Sequence, residues 1–170
     1  SGNRLSDRLH EEAMYLVEEG ALPAEVDAAL EEWGMAIGPF RTLDMIDNRL
    51  PWSVRKRRRE DDPSRPMPIV GDRLCEAGLA GMATGAGWYL YEPGSRKGRP
   101  NPTAEALAID SSRELGLERR EIGVQEIVGR CMVAVIAEAL EILAQGFARD
   151  AADLDAVFRI GYGFPADRGG

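Results

Sequence analysis

The sequence predicts a nearly all-α fold built from a duplicated helical unit. Three observations lead there. Apolar residues recur at helical spacing along most of the chain, glycines and prolines stop each run, and the first helical block returns in weaker form 126 positions later. The block Glu12-Ala13-Met14-Tyr15-Leu16-Val17-Glu18-Glu19-Gly20 is answered by Glu138-Ala139-Leu140-Glu141-Ile142-Leu143-Ala144-Gln145-Gly146. Val26-Asp27 returns as Leu154-Asp155 and Gly38-Pro39-Phe40 as Gly163-Phe164-Pro165, with a short indel between. Repeated helical units of this kind pack against each other.

Each element follows from its own residues. Leu5, Leu9, Ala13, Leu16 and Val17 share one face, so residues 5–19 form an amphipathic helix stopped by Gly20. Pro23 opens a second helix with Val26, Ala29, Leu30 and Trp33 on its apolar side. After Gly38-Pro39, a third helix carries Phe40, Leu43, Ile46 and Leu50. Residues 55–71 combine Arg55-Lys56-Arg57-Arg58-Arg59, three acids and three prolines, which reads as an exposed connection. A short helix spans 72–77. Gly81, Gly85 and Gly87 then bracket Trp88-Tyr89-Leu90-Tyr91, the one credible strand or hairpin. Asn101-Pro102 starts a helix to about Leu115. Residues 124–145 hold the most apolar helix, expected to be central and covered on most sides, and 149–160 a shorter partner.

At 170 residues, with 44% apolar residues and a net charge of −8, the chain can bury a core, and the charge argues against an overall nucleic-acid or anionic-membrane binder. The longest apolar run, Cys131 to Ala137, is far too short to span a bilayer, and no signal sequence is visible. Cys75 and Cys131 have apolar helical neighbours and no metal-ligand spacing, so packed, reduced thiols in a cytoplasmic setting are expected. Ser1-Gly2 and the Arg168-Gly169-Gly170 end read as the edges of a piece excised from a longer protein.

Asn3-Arg4-Leu5, Glu12-Ala13, Glu19-Gly20, Val26-Asp27, Gly38-Pro39-Phe40, Asp44 and Thr84-Gly85-Ala86-Gly87-Trp88-Tyr89 together resemble the C-terminal domain of 3-hydroxyacyl-CoA dehydrogenase. The second copy, with Asp155, Gly161-Tyr162-Gly163-Phe164-Pro165 and Arg168-Gly169-Gly170, is similar to the repeated domain of multifunctional fatty-acid β-oxidation enzymes. The resemblance implies a helical domain of the 6-phosphogluconate dehydrogenase C-terminal-like type in two copies, residues 1–98 and a truncated 99–170. It also implies a parent that oxidises 3-hydroxyacyl-CoA to 3-ketoacyl-CoA with NAD, joined to an enoyl-CoA hydratase. One departure is Ala83, where the family often has lysine before Thr-Gly.

The NAD site and the catalytic His–Glu pair belong, in the family, to a preceding Rossmann domain. No Gly-x-Gly-x-x-Gly follows a predicted strand in this sequence. The fragment itself is therefore expected to be inactive, without cofactor or metal. By resemblance, Asn3 reaches the reaction site, where an amide serves as a fixed donor and acceptor. Asn3 is equally apt as a helix cap. Ile37, Gly38, Pro39, Phe40 and Leu43 match the turn lining the acyl end of the substrate pocket, and a core turn is their plainer reading. His10 does not occupy the catalytic position and reads as a solvated or capping residue. The 55–59 run reads as a solvated charge cluster, with CoA phosphates or a neighbouring domain as alternatives. Glu12 and Glu138 are expected to be structural acids bonded across the two copies, and Trp33, Trp52 and Trp88 packing residues. The second copy takes the place of a partner subunit, giving a monomer with an internal pseudo-dimer. The rival reading is a non-catalytic helical interaction or scaffold module.

Overall fold

The computed structural model describes residues 2–146, with side chains from Arg4 onward. The expected helix at 149–160, Asp155 and the Gly161–Pro165 motif lie outside the described residues. Seven helices follow one another: α1 (Gly2–Glu19), α2 (Pro23–Trp33), α3 (Pro39–Ile46), α4 (Arg49–Asp61), α5 (Val70–Glu76), α6 (Pro102–Glu114) and α7 (Val124–Ala144). A two-stranded antiparallel hairpin, β1 (Tyr89–Leu90) and β2 (Arg99–Pro100), sits before α6, with Tyr89 opposite Pro100.

Prolines open α2, α3 and α6 in their first turns, where a missing N–H costs nothing. Asn101 caps α6 by accepting the Thr103 N–H at 3.0 Å. Gly20 ends α1 at φ +150°, and a Cβ there would overlap the Arg120 carbonyl oxygen. The last carbonyls of α1 are then satisfied from afar. The Arg119 guanidinium donates to the carbonyls of Val17 and Ala21, and the Ser112 hydroxyl to that of Glu18.

The central helix is α1 rather than α7. Leu5, Ala13, Leu16 and Val17 are fully buried, and α2, α3, α5, α6 and α7 all pack on α1. On α7, Ile127, Cys131, Val135 and Ile142 face the core, while Val133, Ile136 and Leu140 are 67, 54 and 61% exposed. The expectation of a helix covered on most sides is thus corrected. By contrast, the positions on α1 that stand 126 residues before these three, Asp7, His10 and Met14, are screened by α4 and, at Met14, by Gly71 of α5. Among the described residues no such elements follow α7.

Two further expectations change. The third helix is two, α3 and α4, separated at Asp47, which adopts φ +98°. The basic run is not an exposed connection, since α4 continues through it to Asp61. Arg55, 8% exposed, and Arg59 both bind Asp72, Arg58 binds Asp7 at 3.0 Å, and Lys56 sits 3.9 Å above the Trp52 ring. The run ties α4 to α5 and α1, and only Lys56 and Arg57 are exposed.

The α1–α7 contact is antiparallel and reciprocal. Arg4 donates to Glu138 at 2.8 Å and also to Gln145, at the far end of α7. Arg130 donates to Glu12 at 3.0 Å and to Glu19 at 2.6 Å. Each member of the first set lies 126 residues from its counterpart in the second: Arg4 with Arg130, Glu12 with Glu138, Glu19 with Gln145. The same offset matches buried Leu5 with Cys131, Leu9 with Val135 and Leu16 with Ile142. Glu12 and Glu138 thus act as the expected structural acids.

Replacing Arg130 by Met removes the cation from three carboxylates at a contact where its side chain is only 27% exposed. A loss of about 2 kcal/mol in urea unfolding is expected. Arg113→Met, at a pair that is 76% and 63% exposed, should change stability by less than about 0.5 kcal/mol. Equal effects would mean that the α1–α7 pairs carry no structural weight.

Candidate functional site

The turn singled out by the sequence joins α2 to α3, and its N–H groups are claimed by α2. Asp27, fully buried, accepts from the Phe40 N–H at 2.9 Å and the Arg41 N–H at 3.0 Å. Glu31, one helical turn later, accepts from the Gly38 N–H at 3.3 Å. Pro39 has none to offer. Every donor in the first turn of α3 is therefore met by a carboxylate, and the positive end of the helix faces negative charge. Gly38 is obligatory here, since a Cβ would lie 2.4 Å from the Asp27 carboxyl carbon.

Asp27 also accepts the Tyr89 hydroxyl at 2.6 Å, and the Arg41 guanidinium lies 4.4 Å above the Tyr89 ring. Burial pushes the Asp27 carboxyl up to about 7 despite these donors, and it raises the Tyr89 hydroxyl as well.

A second buried aspartate organises the glycine-rich segment. Asp44 Oδ1 accepts from the Trp88 N–H and the Asn48 amide, and Oδ2 from the Tyr89 N–H and the Tyr91 hydroxyl, all within 3.0 Å. Asn48 in turn accepts from the Trp88 indole N–H at 2.8 Å. A Cβ on Gly87 would sit 2.2 Å from Asp44 Oδ1, and one on Gly81, at φ +138°, 2.5 Å from the Asp44 carbonyl oxygen. The glycines admit the chain's own carboxylate. With that space filled by Asp44, the loop itself leaves no cradle for a dinucleotide phosphate.

Of the sequence candidates, Phe40 and Leu43 are core residues, 0 and 1% exposed, and Gly38 and Pro39 are buried with them. Phe40 packs on Trp88 with ring centroids 4.6 Å apart. Ile37 alone is half-exposed, at the edge of the turn. Asn3 lies within the first turn of α1, which begins at Gly2, so it does not precede the helix as a cap. Among the described residues no cluster of His, Cys, Asp or Glu is arranged to hold a metal, and no helix is long and apolar enough to cross a membrane.

His10 corrects its expected role. It is 8% exposed rather than solvated, and burial beside the Arg55 cation lowers its imidazole to about 4. Sequence reasoning also missed Glu18, buried in α1, which accepts the N–H groups of Ile69 and Val70 at the start of α5. Its only trace in the sequence is an acid on a helix with many apolar neighbours. Tyr89 and Tyr91 were read as strand residues, and their hydroxyls prove to be the donors to Asp27 and Asp44.

Residues 1–91 match the family model for the 3-hydroxyacyl-CoA dehydrogenase C-terminal domain. The chain belongs to this family. It is 37% identical over 185 residues to a peroxisomal bifunctional enzyme of Danio rerio, covering 99% of this chain and 25% of the relative. A fatty acid oxidation complex subunit alpha of Pseudomonas entomophila (strain L48) is 30% identical over 91% of this chain and 22% of its own length. The chain thus spans about a quarter of these relatives. Two solved structures share the fold: the dehydrogenase part of a C. elegans multifunctional enzyme (TM-score 0.70, 17% identity, 87% of this chain and 33% of that one) and 3-hydroxybutyryl-CoA dehydrogenase of Escherichia coli K12 (0.69, 18%, 96% and 50%). Asp27, Gly38-Pro39-Phe40, Asp44 and the 84–89 motif all lie within the matched span.

His10 is the sole histidine, so its proton resonances report it without ambiguity. Its folded pKa lies below the unfolded value, so its contribution to stability is whole above about pH 6.5 and is lost as pH falls through about 4. The NMR titration midpoint is expected near 4, and His10→Leu should flatten the stability loss across that window. A midpoint near 6.5 would contradict the burial described.

Proposed function

We propose that this chain is the helical substrate-binding and assembly region of an NAD-dependent 3-hydroxyacyl-CoA dehydrogenase acting in fatty-acid β-oxidation. The observation that carries this reading is the family match over residues 1–91, which contains every candidate site residue in order. The names of its relatives, a bifunctional enzyme and a fatty acid oxidation subunit, support a parent that also hydrates enoyl-CoA. NAD and the catalytic acid–base pair are then held by another part of the parent polypeptide. Asn3 is the residue this chain would place at the reacting oxygen, and Ile37 would border the acyl chain at the edge of a turn shaped by Gly38, Pro39, Phe40 and Leu43.

Residues 1–98 and 99–170 are proposed as two copies of one helical domain, the second truncated. The reciprocal Arg4–Glu138 and Arg130–Glu12 pairs support this, because a constant offset of 126 is what a two-fold arrangement of repeats produces. The second copy would occupy the place of a partner subunit, leaving a monomer. Buried Cys75 and Cys131, with thiols raised by burial to about 11 and 12, fit a reducing compartment such as the cytoplasm.

The test is an assay of the full-length parent with 3-hydroxyacyl-CoA and NAD. Activity is expected, and Asn3→Ala should lower kcat by roughly 10²-fold, the scale for losing one fixed donor at a developing charge. An inactive parent would refute the reading. Unchanged kinetics in Asn3→Ala would refute only that residue's assignment.

A further inference from the structure

We propose that Asp27 and Tyr89 form a positioning pair that sets acyl-chain selectivity by fixing the Ile37–Phe40 turn from behind. This rests on the reading that the turn borders the acyl chain. Phe40 and Leu43 are 0 and 1% exposed, so the side chains that shape the turn do not present it to a ligand. Ile37 is the half-exposed apolar residue at its edge. Where Ile37 stands depends on where the following backbone is held.

That backbone has few independent supports. Gly38 and Phe40–Arg41 donate to Glu31 and Asp27 on α2, and within α3 the first helical bond to return to the turn is Thr42 N–H to Gly38 at 3.0 Å. Asp27 is itself held by the Tyr89 hydroxyl at 2.6 Å, on the Oδ2 that also takes the Arg41 N–H. Tyr89 belongs to the hairpin that Asp44, on α3, anchors through the Trp88 and Tyr89 N–H groups. The path α2, turn, α3, hairpin and back to α2 is closed through two carboxylates and one phenol. Loosening the phenol leaves the aromatic ring packed under Arg41 but removes one of the two donors on Asp27 Oδ2, leaving that oxygen to the Arg41 N–H. A sub-ångström shift of the turn then moves Ile37, and displacements of about 1 Å at a substrate-facing element cost up to 10²-fold in rate or binding.

The pair acts through the turn and touches no reacting atom. Loss of it should weaken holding of a long acyl chain uniformly in ground and transition states, which raises KM and spares kcat. In the full-length parent, KM and kcat are measured for short (3-hydroxybutanoyl) and long (3-hydroxyhexadecanoyl) CoA thioesters in Tyr89→Phe, Asp27→Asn and Ile37→Ala. Tyr89→Phe is expected to change the ratio of long-chain to short-chain KM by about tenfold, with kcat within about twofold. Asp27→Asn should do the same, and if it does not fold, Tyr89→Phe alone decides. A lowered melting temperature with an unchanged KM ratio in Tyr89→Phe would show a purely structural bond and overturn the proposal. If Ile37→Ala shifts the ratio while Tyr89→Phe does not, the turn borders the acyl chain and only the positioning fails. If neither shifts it, both fail.

Discussion

Two arginines 126 residues apart, Arg4 and Arg130, each cross to the other's helix and bind the acid that stands eight positions beyond its counterpart. This exchange fixes α1 against α7 in antiparallel register, and α1 is the helix on which nearly everything else packs. With α1 placed, its C-terminal carbonyls receive Arg119 and Ser112, its Glu18 receives the start of α5, and its Met14 lies against Gly71. An ion pair alone would be a weak organiser. Here it borders a seam of fully buried Leu5, Leu16, Cys131 and Ile142, where apolar burial provides the attraction and the arginines provide the register.

A second theme recurs at smaller scale. Glu18, Asp27 and Asp44 are buried carboxylates that accept from backbone N–H groups, with Tyr89, Tyr91 and Asn48 assisting. Burial raises all three above the usual carboxylate range. Such groups are costly unless satisfied, so they specify a single arrangement: a displaced donor leaves a buried acceptor unmet. The glycines at 38, 81 and 87 exist on the same terms, each admitting backbone to within contact of a carboxyl or carbonyl group.

Much of this is legible in the sequence. The helices at 23–33, 102–114 and 124–144 follow from apolar spacing and from Pro23, Asn101-Pro102 and flanking glycines, all local signals. The short hairpin near 88–91 was visible in its aromatic run, although its partner Arg99-Pro100 was not. What escaped depends on distant partners. Arg55, Arg58 and Arg59 look like a solvated cluster because Asp72 and Asp7 lie 13 to 51 residues away, and the pairing turns the run inward as part of α4. His10 looks polar and exposed until α4, with Arg55, covers it. The apolar character of residues 124–145 says that the helix buries much surface, but not which side lacks a cover. At the candidate site, Gly38-Pro39 marks the break between α2 and α3, yet the side chains of Phe40 and Leu43 are core, and Asp27, the carboxylate that holds the turn, shows in the sequence only as part of the repeat and of the family resemblance.

The reciprocal contact also links the fold to assembly. A face whose contacts are reciprocal, as those between α1 and α7 are, is the kind of surface through which two identical subunits pair. If the second copy fills that place, the 18.6 kDa chain has no further use for a partner there. Sedimentation velocity across micromolar concentrations is the direct test. A single species of monomer mass at every concentration is the result this account predicts, and a stable dimer that dissociates when Arg4 and Arg130 are both replaced by Met would contradict it.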